Sequence, residues 1–158
     1  MRAFKLILLL IPIIWACEKP TIYEVDTLQV YSDGGEKINR KTSSEFISIA
    51  FADLFGSAPT AAELSNFNLV YEAFGDPEFI EDLIVRNLIN DPRSDIPSQS
   101  EMKADPESFV QEAYLSLYNR PAQESEVYFL REYIESTPDL LPTTIYYGMM
   151  TSEEYRYY

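Results

Sequence analysis

From Ser43 onward the apolar positions recur with helical spacing. Phe46, Ile47, Ala50, Phe51, Leu54 and Phe55 share one face, so the spacing predicts an amphipathic helix. Gly56-Ser57-Ala58-Pro59 stops it. Thr60-Ala61-Ala62-Glu63 is a capping box, so a second helix starts there and is expected to bury Leu64, Phe67, Val70, Tyr71 and Phe74. Gly75 suits the end of that helix. Asp76-Pro77 supplies an N-cap and a first-turn proline for a third helix, which runs through Phe79, Ile80, Leu83, Ile84 and Leu88. The polar, proline-bearing stretch 91–100 reads as part of a connector. Asp105-Pro106 then repeats the start signal, and Phe109, Val110, Ala113, Tyr114, Leu117 and Tyr118 form the next face. Asn119-Arg120-Pro121 ends it. A fifth helix at 122–135 presents Val127, Leu130, Tyr133 and Ile134. A sixth covers 142–150, and Thr151-Ser152-Glu153-Glu154 caps a final aromatic turn.

The two halves of this pattern superimpose. Moving 46–93 by 63 positions lays it on 109–156 without a gap. Phe46, Ala50, Leu54, Glu63, Glu72, Asp76 and Arg93 then meet identical residues. Identity at seven positions is close to what two unrelated amphipathic units can share; the matching order of helix breakers carries more weight. The expected fold class is therefore all-α: a compact bundle of about six helices, in two related three-helix units, behind an extended tether. The expected boundaries are 44–92 for the first unit, 93–104 for the connector and 105–158 for the second.

The region before Ser43 has a different pattern. Arg2 and Lys5 precede an apolar run from Leu6 to Ala16, and Cys17, the only cysteine, follows it. Cations, a short apolar run and a small residue before a cut are the parts of a secretory signal. The run is shorter than the ~20 residues that span a bilayer, and Pro12 interrupts it. Its end, Ile14-Trp15-Ala16-Cys17, resembles the lipobox of bacterial lipoproteins. That resemblance implies removal of 1–16, acylation of Cys17 and attachment to a lipid bilayer. Residues 17–43 then read as a tether, with Asp33-Gly34-Gly35 as its strongest turn signal.

The second unit carries a further resemblance. Phe109-Val110-Gln111-Glu112-Ala113-Tyr114-Leu115-Ser116-Leu117-Tyr118-Asn119-Arg120-Pro121, followed by Ser152-Glu153-Glu154-Tyr155, resembles a small helical module of bacterial secreted and surface proteins. That module is distantly similar to phycobilisome linker domains. Where it carries Gly and Trp in its middle helix, this chain has Glu126-Val127 and Phe129. The resemblance implies an all-helical fold and a linking or interaction role, with no shared catalytic residues.

Charge narrows the partners. Loss of 1–16 removes Arg2 and Lys5, leaving 10 basic residues of the original 12 against 26 acidic ones. Nucleic acid, whose affinity rests on Lys and Arg neutralising phosphates, is not an expected partner. Nor is an anionic lipid surface held through a basic patch. The chain has no histidine, which removes the commonest general base and metal ligand. No carboxylate run has calcium-loop spacing, no glycine-rich phosphate loop is present, and no haem attachment motif occurs. No catalytic residue, metal site or cofactor is expected. A carboxylate pair meeting in a cleft is the one enzymatic arrangement left open.

The tail is rich in tyrosine: Tyr146, Tyr147, Tyr155, Tyr157 and Tyr158. Tyrosine favours interfaces, and Tyr155, Tyr157 and Tyr158 are the expected partner contacts. Core completion is the competing role for Tyr146, Tyr147 and Tyr155. The expectation is an envelope lipoprotein, with the outer membrane favoured over the inner, that binds or braces a protein in a transport or secretion assembly. Two alternatives are a glycan-binding or glycan-processing lipoprotein, and a periplasmic inhibitor or immunity protein.

Overall fold

The computed structural model describes residues 39–157. Cys17, the signal-like run, most of the tether and Tyr158 lie outside the described residues. Among the described residues eight helices follow one another: α1 Ser43–Phe55, α2 Ala61–Ala73, α3 Pro77–Ile89, α4 Gln99–Ala104, α5 Pro106–Tyr118, α6 Glu124–Ser136, α7 Pro142–Met150 and α8 Glu153–Arg156. An isolated antiparallel bridge joins Arg40 and Tyr157, and the described residues form no sheet. The all-α bundle read from the spacing is the observed fold.

Local chemistry sets the helix ends. Thr42 and Glu45 form a capping box on α1, with Glu45 Oε2 accepting from the Thr42 N–H at 2.8 Å. Thr60 and Glu63 repeat it on α2 at 2.9 Å. Asp76 and Asp105 cap α3 and α5, each followed by a proline whose missing N–H costs the first turn nothing. α1 and α5 both close on a left-handed residue, Gly56 at φ 63° and Asn119 at φ 56°.

The repeat has a structural counterpart. α5 starts and ends 63 residues after α1, and α6 does so after α2. Gly56 and Asn119 are also 63 apart. The third helices depart from this register. Pro77 and Pro142 each open their helix, and Ile80, Ile84 and Val85 correspond in helix position and burial to Ile145, Met149 and Met150, an offset of 65. The ungapped alignment is therefore corrected after the second helix. The connection there covers 74–76 in the first unit and 137–141 in the second, and the two extra residues shift the register.

The two units share one core. Phe46 and Leu54 of α1, Val85 of α3, Val110 of α5 and Met150 of α7 belong to a single buried cluster. Two expectations about the connections are revised. The connector 93–104 contains α4, because Ser98 and Glu101 form a capping box and Met102 is fully buried. The tether does not extend to residue 43, because the Lys41 N–H donates to the Arg156 carbonyl at 2.9 Å and Arg40 bridges Tyr157.

Burial on α2 and α3 also differs from the expectation. Leu64, Phe67 and Tyr71 pack against the core, whereas Val70 and Phe74 are exposed. On α3, Phe79 and Leu83 are exposed, and Glu81 and Val85 are buried with Ile80, Ile84 and Leu88. A buried glutamate runs against the hydrophobic pattern, so the sequence favoured the wrong flank. Glu81 is accommodated because two cations and a hydroxyl reach it. Arg156 Nε lies 2.7 Å from Oε2, Arg40 Nη2 donates to Oε1 at 3.2 Å, and the Tyr71 hydroxyl donates to Oε1 at 2.5 Å. This cluster joins the start and end of the described chain to α2 and α3.

Candidate partner-binding groove

The groove is built around a fixed arginine. The left-handed turn at Asn119 directs Arg120 back across the end of α5. Its guanidinium meets Glu126 with two hydrogen bonds, Nη1 to Oε2 at 2.8 Å and Nη2 to Oε1 at 2.7 Å. It meets Glu154 with two more, Nε to Oε1 at 2.5 Å and Nη2 to Oε2 at 2.9 Å. Planar fork geometry suits this double pairing. The guanidinium carbon also sits 4.9 Å from the Tyr114 ring centre and 5.7 Å from that of Tyr118. Hydrogen bonds from Arg120 lower the pKa of the Glu126 carboxyl, and the same carboxylates raise that of Arg120. Tyr118 extends the network, donating to the Met149 carbonyl at 3.0 Å and lying 2.9 Å from Ser152 Oγ. Residues of Tyr118-Asn119-Arg120-Pro121 and of Ser152-Glu153-Glu154-Tyr155, distant in sequence, thus meet in one network.

Beside this clamp α5, α6 and α7 enclose an open groove of about 500 Å³. Tyr114 and Tyr118 line it from α5, Phe129, Leu130 and Tyr133 from α6, and Thr144, Ile145, Gly148 and Met149 from α7. Phe129 is 68 % exposed and stands at the lip with Tyr133. Small side chains make the space. Leu130, Thr144 and Gly148 occupy the helix positions held in the first unit by Phe67, Phe79 and Leu83. Phe67 packs edge-on against Phe51 at 5.7 Å, and Leu130 leaves that volume open. A Cβ at Gly148 would meet no atom within 4 Å.

The structure separates the tail tyrosines. Tyr155 is fully buried, packs edge-on against Phe46 at 5.8 Å, and donates its hydroxyl to Asp53 Oδ2 at 2.8 Å. Its expected role as a partner contact is corrected: it is a core residue that ties α8 to α1. Tyr157 is partly exposed and bridges Arg40. Tyr158, like Cys17, lies outside the described residues. Tyr146 is buried against Phe109, and Tyr147 bonds Asp82 and Arg86 of α3. Phe129 and the groove were missed because Phe129 fell off the apolar stripe of its helix. The signal that could have found them was the pair of small residues, Thr144 and Gly148, opposite that ring.

Asp53 is a half-buried carboxylate whose pKa is shifted upward. Desolvation raises its pKa to about 6, against the opposing effects of the Tyr155 hydroxyl and Lys41. It lines a second opening with Lys41, Asn119 and Tyr157. Among the described residues no group of His, Cys, Asp and Glu is arranged to hold a metal ion. No helix among them is long and apolar enough to cross a membrane. No protein-family model, curated protein or solved structure matches the chain. The class defined by fold and site is thus an all-α bundle of two related units, with an aromatic-lipped groove in the second.

Proposed function

We propose that this protein is a lipid-anchored component of a bacterial cell envelope that binds another protein through its second helical unit. The anchoring reading is supported by Cys17, the sole cysteine, placed at the end of a lipobox-like run. A diacylglyceryl group on that thiol would hold the domain stably, since each buried CH₂ contributes ~0.8 kcal/mol. The outer membrane is the favoured site. The binding reading is carried by the groove beside the Arg120 clamp, with Phe129 and Tyr133 exposed at its lip. Large exposed rings beside a preformed cleft are what protein interfaces use as anchors.

The test has two arms. Labelled palmitate should enter the full chain and be lost in Cys17→Ser, which should leave the membrane fraction. Affinity capture from solubilised membranes should recover one stoichiometric partner with the wild type and lose it in Phe129→Ser. Palmitate uptake by the Cys17→Ser variant, or no partner with the wild type, would count against the reading.

The exposed rings of Phe129 and Tyr133 beside a cleft also favour a second reading, glycan binding by ring stacking. Binding of neutral oligosaccharides to the wild type but not to Phe129→Ser would select it.

A further inference from the structure

We infer that the groove between α5, α6 and α7 receives an apolar anchor flanked by basic residues from a partner polypeptide. This rests on the protein-binding reading above and names the chemistry of the partner at that site.

The apolar half of the inference follows from the walls. Tyr114, Phe129, Leu130 and Met149 present ring and aliphatic carbon to the space. The polar groups nearby are largely engaged: Glu126 pairs with Arg120, and Tyr118 donates to the Met149 carbonyl. A sugar needs several convergent donors and acceptors, whereas an aliphatic or aromatic side chain needs only the carbon surface.

The basic half follows from charge. Among the described residues, the one charged side chain that lines the groove is the carboxylate Glu126 of α6. At the groove's end Arg120 faces two carboxylates, so the clamp is net negative. α7, the opposite wall, has no charged residue to offset this. An apolar floor with a net negative clamp at its end is complementary to a segment that sets a Leu or Trp anchor beside lysines or arginines.

Gly148 supplies a selective test. It is exposed, sits within α7 and has open space where a Cβ would stand, so Gly148→Leu fills the groove without entering the core. The probes are short fluorescent peptides with Trp and Leu at i and i+4, one flanked by lysines and one by glutamates. The receptor is the acylated full chain in phosphatidylcholine nanodiscs, with empty nanodiscs as blank. Anisotropy should show saturable binding of the lysine peptide, at least about tenfold tighter than the glutamate peptide and weakened by salt. Gly148→Leu should weaken it at least about tenfold while its melting curve is unchanged or shifted upward. Phe129→Ser should weaken it as well, and its ring is too exposed for the fold to depend on it.

Equal affinity for both peptides, or binding unchanged by Gly148→Leu, would overturn the inference. So would displacement by a neutral oligosaccharide, or a wild-type dimer lost in Gly148→Leu, which would seat a glycan or a second copy there. Capture of one membrane partner equally by wild type and Gly148→Leu would overturn the groove assignment and leave the protein-binding reading standing. Capture of none by the wild type sinks that reading, while the peptide titration still reports on the groove.

Discussion

Arg93 and Arg120 perform the same task from positions that the repeat does not relate. Arg93 donates from Nη1 to Glu63 Oε1 and from Nη2 to Asp91 Oδ2, each at 2.9 Å, and lies 4.7 Å over Phe55. Arg120 does the equivalent with Glu126, Glu154 and Tyr118. Glu63 and Glu126, Asp91 and Glu154, and Phe55 and Tyr118 are each 63 apart. The arginines are not. Ser57 stands 63 before Arg120, and Arg156, 63 after Arg93, pairs with Glu81 instead. Each unit places two carboxylates beside an aromatic ring, and a cation satisfies them wherever the chain can supply one.

The two clamps should differ in strength. Arg120 is about half as exposed as Arg93 and makes four hydrogen bonds to its carboxylates. Arg120→Met is expected to cost about 1–2 kcal/mol, because charge-assisted bonds in a partly screened site are lost. Arg93→Met should cost less. Denaturant melts of the two variants make the comparison, and equal losses would contradict it.

Tyr155 should behave as a core residue. Tyr155→Ala is expected to cost about 3–5 kcal/mol, the range for truncating a buried aromatic. Tyr155→Phe should cost far less, losing only the bond to Asp53. Circular dichroism melts decide this, and a folded, fully stable Tyr155→Ala would disprove the placement.

Asp53 gives stability a specific pH dependence. Its pKa is about 6 in the fold, against an ordinary value of 3.8. Between those values the folded state holds the proton that the unfolded state has released. Stability from this site therefore falls as pH rises from about 4 to about 6, and is level above. Asp53→Asn removes that effect and can still accept from Tyr155. The melting temperature of Asp53→Asn should gain on that of the wild type across this window. A constant difference would contradict it.

Gly148→Ala should stabilise the protein. The residue lies in a helix, has no left-handed φ, and its Cβ would meet nothing. The expected gain is about 0.5–1 kcal/mol, from reduced backbone freedom in the unfolded chain. Thermal melts measure it. A loss of stability would show that the groove floor is less open than described.

Most helix ends were legible in the sequence because short-range chemistry sets them. Thr60 with Glu63, Asp76 with Pro77, and Asp105 with Pro106 each act within one turn. The all-α class followed from the same period. What the sequence concealed depends on contacts across the fold. Glu81 is buried only because Arg40 and Arg156, 41 residues before and 75 after it, converge on it. Once Glu81 faces inward, Phe79 and Leu83 must face out. The two-residue slip between α2–α3 and α6–α7 was hidden because the faces still matched in character. The groove was hidden for another reason: it is made by missing bulk at Leu130, Thr144 and Gly148, which no apolar stripe registers. The α4 capping box at Ser98 and Glu101 was in plain view, and the surrounding prolines outweighed it.

The most direct test of the account is paired capture from solubilised membranes, with the acylated wild-type chain and Gly148→Leu as baits at equal loading. The account predicts one stoichiometric envelope protein on the wild type, with a basic-flanked apolar segment at its crosslinks to α6 and α7, and its loss from the variant. Recovery of the same protein on both baits, or of none on the wild type, would contradict it.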